Sequence, residues 1–221
     1  MKTIAEHILV LCLALLVPAG AFAQEGKNIG GIPEDVYYLM PAFADGMVYF
    51  TGQRPAEGTL NICAVDNTLR FMDNGKELAA ASDETVVRVR IDTVNFMHAN
   101  GVYYRMYPVS AGIGAALKRE VKLKQGAKTG AYGMTSQTSS IQEKSTLYAD
   151  GIAYNLSGTS QYEVSETLFL YKGDEILPLN KRNLRRLFPA RKQDIDAFFS
   201  LGNPLPTTSA ELIPILRLWA E

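Results

Sequence analysis

The sequence predicts an α+β fold: an antiparallel β-rich domain, arranged as a meander, a curled sheet or a small barrel, followed by C-terminal helices. Three observations predict it. Short apolar runs of period two recur from Val36 to Leu179, punctuated by turn dipeptides such as Asn74-Gly75 and Asn100-Gly101. Beyond Asn180 the apolar period lengthens to about 3.6 residues. Strands first and helices last is the order of an α+β chain, not of alternating α/β units.

The chain has 221 residues, 47% of them apolar, and a formal net charge of -1. That is enough apolar side chain for a sizeable core. The balance of charge gives no reason to expect nucleic acid as a partner.

Residues 1–23 read as an export signal. Lys2 supplies the positive end, residues 8–17 are an unbroken apolar run, and Pro18 and Gly20 break it. Ala21-Phe22-Ala23 is a small-x-small cleavage pattern that leaves Gln24 first. The run is too short to span a bilayer, which takes roughly 20 apolar residues. The expectation is a cleaved chain with no transmembrane anchor. Cys12 leaves with the signal, so Cys63 remains without an internal disulfide partner. It sits in the apolar run 60–65 and reads as a buried, inert thiol.

Residues 24–35 are polar and glycine-containing, and read as a flexible leader. The β-rich domain is placed at 36–179. Segments 36–40 and 47–50 flank Asp45-Gly46, a hairpin-turn signal. Strands follow at 59–65, 68–72 and 78–80, the last two joined by Asp73-Asn74-Gly75. Residues 87–91 alternate cleanly, so one face is buried and one wet. Residues 102–107 follow His98-Ala99-Asn100-Gly101, read as a turn. Leu117, Arg119, Val121 and Leu123 alternate with Lys118, Glu120, Lys122 and Lys124 as a long strand. Residues 126–140 are rich in Gly, Thr and Ser, the composition of a functional or mobile loop. Strand character returns at 146–156 about Asp150-Gly151, then at 168–171 and 176–179 about Gly173-Asp174.

The helical segment is placed at 180–221. Asn180 is a good N-cap, and Leu184, Leu187 and Phe188 recur at helical spacing until Pro189 interrupts. Ile195, Phe198, Phe199 and Leu201 continue the stripe, and Gly202 closes it. Thr208 with Glu211 forms a capping box for a last helix carrying Leu212, Ile213, Leu216 and Trp219, with Pro214 a source of distortion.

Motifs for catalysis are sparse. His98 is the one histidine beyond the signal, and no Gly-x-Ser-x-Gly elbow accompanies any serine. Cys63 and His98 lie too far apart in sequence to form a zinc-ligand motif, so no metal or cofactor is expected. Carboxylates at Asp83, Glu84, Asp92, Glu163 and Glu166 are the candidates for acid/base work on a glycan or peptidoglycan. Lys181, Arg182, Arg185, Arg186, Arg191 and Lys192 form a run with no acid before Asp194. Opposite an apolar stripe such a run forms a solvated face. Its sharper reading is a contact for anionic lipid headgroups, lipopolysaccharide or an acidic partner.

Several of these segments resemble exported proteins of Bacteroides-type bacteria. The resemblance is carried by Leu60 to Met72, by the turn and strand from Asp73 to Leu78, by Val89-Arg-Ile-Asp-Thr-Val94 running on to Phe96, and by Leu168-Phe-Leu-Tyr-Lys-Gly-Asp174. Lys181-Arg-Asn-Leu-Arg-Arg-Leu-Phe-Pro189 and Asp194-Ile-Asp-Ala-Phe-Phe199 also carry it. It implies a Gram-negative setting, periplasmic or at the cell surface, and brings no active site with it. Asp92-Thr93-Val94 is similar to the short O-glycosylation acceptor pattern of such bacteria, with Thr93 as acceptor. The functional expectation is a non-enzymatic envelope protein that binds, or is accessory to, another envelope component. The alternative is a carboxylate-dependent hydrolase.

Overall fold

In the computed structural model, residues 28–29, 32–80, 83–124, 128–129, 135–136 and 161–220 are described. The chain enters through a two-residue ribbon, β1 (Asn28–Ile29) on β2 (Ile32–Pro33), and one helical turn, α1 (Glu34–Tyr37). Next come β3 (Ala44–Phe50), β4 (Ala56–Ile62), β5 (Leu69–Asp73), β6 (Lys76–Ala79), β7 (Val86–Ile91), β8 (Val94–Ala99), β9 (Val102–Ser110) and β10 (Ile113–Lys124). A small ribbon, β11 (Lys128–Thr129) on β12 (Thr135–Ser136), precedes β13 (Gln161–Lys172) and β14 (Glu175–Pro178).

Ten of these strands form one antiparallel sheet in the order β14-β13-β10-β9-β8-β7-β3-β4-β5-β6. It consists of two meanders. One winds outward from β3 to β6, the other from β7 to β14, and the pairing of β3 with β7 joins them. The turn chemistry explains the windings. Asn74-Gly75 and Asn100-Gly101 hold φ at 49° and 77°, and at 53° and 72°. Two consecutive left-handed residues are what a tight type I′ hairpin demands.

The sheet is curled and not closed. From the loop between β4 and β5, Asn67 Oδ1 accepts from Tyr103 N at 3.3 Å, and Ala64 O accepts from Val121 N at 3.2 Å. Those bonds bring the far half of β10 over the open side. Inside the curl Val48, Leu60, Ile62, Val89, Ile91 and Phe96 are buried. On the other half of the sheet the helices cover Ala115, Leu168, Leu170 and Leu177. The opposite face there buries Met97, Tyr104, Ala116 and Tyr171. The run Leu168-Phe-Leu-Tyr171 is apolar at every position because both of its faces are covered.

The helices are α2 (Lys181–Leu187), α3 (Lys192–Ser200) and α4 (Ser209–Ala220), with a 3-10 turn at Pro189–Arg191 where the chain reverses. Each predicted cap is made. Asn180 Oδ1 accepts from Asn183 N at 2.9 Å, and Gly202 N donates to Phe199 O at 3.1 Å. Glu211 N donates to Thr208 Oγ1 at 3.3 Å, while Glu211 Oε2 accepts from Thr207 N and Thr208 N at 3.0 and 3.4 Å. Leu184, Leu187, Ile195, Leu212, Leu216 and Trp219 share one core with the sheet. At roughly 1.5–3 kcal/mol per large apolar side chain removed from water, that face holds the helices down. The helix runs through Pro214 to Ala220, with Pro214 on its exposed side.

Four sequence expectations need correction. Segment 36–40 is no strand. Glu34 and Asp35 favour a helical first turn, and only Tyr38 bridges, to Cys63. The leader expected over 24–35 holds Ile32, which is fully buried among Tyr37, Tyr38 and Cys63. Asp45-Gly46 makes no turn and lies inside β3. A Cβ at Gly46 would strike the carbonyl oxygen of Arg90 and come within 2.9 Å of Leu60 Cδ1, so the glycine is there for close strand approach. His98 stands in β8, not in a turn, with its ring stacked on Tyr103 at 4.5 Å. The export signal, the strand expected at 146–156 and most of the loop expected at 126–140 lie outside the described residues.

Candidate functional site

The site is built on the antiparallel pair α2 and α3. Helix dipoles favour acids in a first turn, yet α2 opens on Lys181 and Arg182 and has no acid there. Stability alone does not ask for that arrangement. Lys181, Arg182, Arg185, Arg186 and Lys192 wall a shallow concavity of about 550 Å³. The hairpin formed by α2, the Pro189–Arg191 turn and α3 brings Lys192 beside α2. Arg191 is not among the lining residues. It lies in the 3-10 turn, 3.6 Å from Asp194, and lines a second groove with Phe188, Pro189 and Trp219.

Folding places acids beside the run that the linear sequence does not show. Asp196 on α3 accepts from Lys181 Nζ at 2.9 Å and from Arg185 Nη2. These two hydrogen bonds hold the Asp196 carboxyl below the usual carboxylate range. Arg186 donates to both oxygens of Glu175 on β14, at 3.2 and 2.9 Å. Lys181 also lies 5.5 Å from the centre of the Phe199 ring. Among the described residues, Arg182 and Lys192 make no ion pair, and both are exposed. Six cations thus face three carboxylates, and the surplus is positive. The signal for Asp196 was present in outline: Lys181 and Arg185 are four apart on one helix face, and a carboxylate on a neighbouring antiparallel helix can reach both.

Thr93 is placed apart from this cluster. It is exposed in the two-residue turn between β7 and β8, preceded by Asp92 at φ 51°.

The carboxylates considered for catalysis are spread out. Asp83 and Glu84 precede β7 and Asp92 follows it, so the length of a six-residue strand, about 20 Å, separates them. Glu163 and Glu166 are three apart on β13, and strand alternation sends them to opposite faces. Glu166 is also held by Arg119 at 2.8 Å.

A polar cluster inside the curl was not visible from spacing. Asp83 Oδ2 accepts from Leu69 N at 3.3 Å, and burial first, then Asp83, pushes the pKa of the Tyr103 hydroxyl upward, so that it stays un-ionised. His98 Nδ1 lies 3.0 Å from Val86 O. A second cluster surrounds Arg70, whose side chain is 5% exposed. It pairs with Asp66, while Tyr38 donates its hydroxyl to Glu77 at 2.7 Å. The bond from Tyr38 to Glu77 ties the N-terminal segment to the outer strand β6. Among the described residues no three His, Cys, Asp or Glu side chains gather to hold a metal ion. No described helix is long and apolar enough to cross a membrane.

Comparisons with family models, with curated proteins and with solved structures find no match for this chain.

Proposed function

We propose that the protein is an exported, non-enzymatic component of a Gram-negative envelope that binds an anionic partner there through α2 and α3. One observation carries this reading: five cations wall a single concavity, and two of them have no ion pair among the described residues. The partner is an envelope protein or surface component bearing acidic or phosphate groups, and nucleic acid is not part of the reading. Export rests on the pattern of residues 1–23, and the setting rests on the resemblance described above.

Cross-linking in the native envelope tests the reading. One reproducible partner is expected, with recovery reduced by Arg185→Glu/Arg186→Glu and by raised salt, since exposed charge interactions are screened. Turnover of a glycan or peptidoglycan that Asp92→Asn abolishes in a folded protein would overturn it in favour of a hydrolase. Thr93, exposed at its turn, is the proposed O-glycosylation acceptor. A Thr93→Val chain recovered from the envelope should lack the added mass.

A further inference from the structure

Two cations of the basic concavity already have an anion beside them. Asp196, on α3 and not itself a lining residue, accepts hydrogen bonds from Lys181 and Arg185, two of the five cations that wall the concavity. Those bonds favour its ionised form. We propose that Asp196 is an internal competitor for the site, and that it sets the ligand class: a phosphomonoester displaces it and a simple carboxylate does not. The inference rests on the reading of the concavity as an anion-binding surface.

The argument is one of differential affinity. A carboxylate fixed on the same domain acts at an effective concentration on the order of mM or higher. A free monocarboxylate offers the same single charge and the same two acceptor oxygens, and it also loses its freedom on binding. It therefore gains nothing by exchange. A phosphomonoester carries about -1.5 to -2 charge at neutral pH and three acceptor oxygens. It can take over Lys181 and Arg185 and also engage Arg182 and Lys192, whose charges Asp196 does not answer. Asp196, with a side chain 34% exposed, can turn back to water when it is displaced. A ligand moves such an equilibrium only by the difference in its affinity for the two states, and here that difference comes from the second charge and the unpaired cations. A phosphodiester, with one charge, stands between the two.

The test titrates the intact chain with inorganic phosphate and with acetate at pH 7.5, followed by amide NMR shifts. Phosphate is expected to bind at least tenfold more tightly than acetate. Asp196→Asn should tighten phosphate three- to tenfold and make acetate binding measurable. Asp196→Ser repeats the comparison without an amide able to keep either hydrogen bond. Arg182→Ser/Lys192→Ser should weaken phosphate at least fivefold. Vesicles of phosphatidate, a phosphomonoester lipid, and of phosphatidylglycerol, a phosphodiester lipid, separate the sources. Preference for phosphatidate over both phosphatidylglycerol and free phosphate assigns the ligand to a lipid headgroup, and binding of free phosphate alone assigns it to a soluble phosphomonoester.

Equal binding of acetate and phosphate by the unaltered chain overturns the inference, and so does phosphate binding that both Asp196 variants leave unchanged or weaken. If anions bind and Arg185→Glu/Arg186→Glu reduces the binding while the Asp196 variants change nothing, only the competitor role fails. If no chain, altered or not, binds any of these anions, the underlying reading fails with it.

Discussion

The Arg88 guanidinium on β7 lies 3.4 Å from the Asp174 carboxylate in the turn between β13 and β14, although β7 and β13 are four strand spacings apart in the sheet. On a flat sheet that separation is about 19 Å, more than the two side chains can bridge. The contact therefore reports how strongly the sheet bends toward the face that buries Tyr104 and Tyr171. It does not hold the bend in place, because its partners are 42% and 89% exposed. Arg88→Ala and Asp174→Ala should each change stability by less than about 0.5–1 kcal/mol in urea unfolding.

Gly46 and Gly58 sit opposite each other on β3 and β4, yet they should respond differently to an added methyl. At Gly46 the obstacle is the backbone carbonyl of Arg90, which cannot rotate away. At Gly58 the nearest atom is Leu60 Cδ2, 3.3 Å away and at the end of a side chain. Gly46→Ala should cost about 1–3 kcal/mol or more, seen as a fall of several degrees in Tm. Gly58→Ala should stay within about 1 kcal/mol of the unaltered chain.

Cys63 is fully buried, and burial, with Asp66 nearby, pushes its thiol from near 9 up to about 12. The folded protein should resist a thiol reagent at pH 8 and react once denatured. The sign of the pH effect follows. Below pH 9 the thiol is neutral in both states and its contribution is fully present. From pH 9 to 12 only the unfolded chain ionises, so stability is lost as pH rises. Tyr38 and Tyr103, whose hydroxyls are also raised by burial first, add to the loss above about pH 10. Urea midpoints measured from pH 7 to 10 should be flat and then decline, with a smaller decline near pH 9 in Cys63→Ala.

The period change at Asn180, the three helices and their caps were legible in the sequence because each depends on neighbours a few residues apart. Asn180 with Asn183, and Thr208 with Glu211, are local chemistry. The turns at Asn74-Gly75 and Asn100-Gly101 were legible for the same reason. Asp45-Gly46 carries the same turn signal but is overruled by β7, whose Ile91 pairs with Gly46 from 45 positions away. The site divides in the same way. The basic run could be read directly, whereas its neutralisation by Asp196 and Glu175 depends on how α2 lies against α3 and β14. Nothing in sequence spacing showed that Arg191 would leave the cluster, which the turn at Pro189 decides.

Trp219 is the last buried side chain of α4, with its ring 5.8 Å from Phe198 and 6.3 Å from Phe188. It joins all three helices to the sheet. Trp219→Ala should cost about 3–5 kcal/mol, detected as a lower urea midpoint. Thr208→Ala, which removes only the cap, should cost about 1 kcal/mol.

The β3–β7 seam also has a consequence for the order of folding. The windings from β3 to β6, from β7 to β10 and from β13 to β14 are assembled from pairings between successive segments, which form quickly because little chain must be ordered to make them. The seam is different, as is the β10–β13 pairing: Val48 must find Val89 across the whole of β4, β5 and β6, and the chain between Lys124 and Gln161 must close before β13 can pair. Until the seam forms, Leu60, Ile62 and Leu69 lack the apolar partners that Val89, Ile91 and Phe96 provide. Joining the two halves is thus one of two slow events in acquiring the structure, beside the closure of β13 onto β10, and the first meander is the portion most in need of protection while it waits.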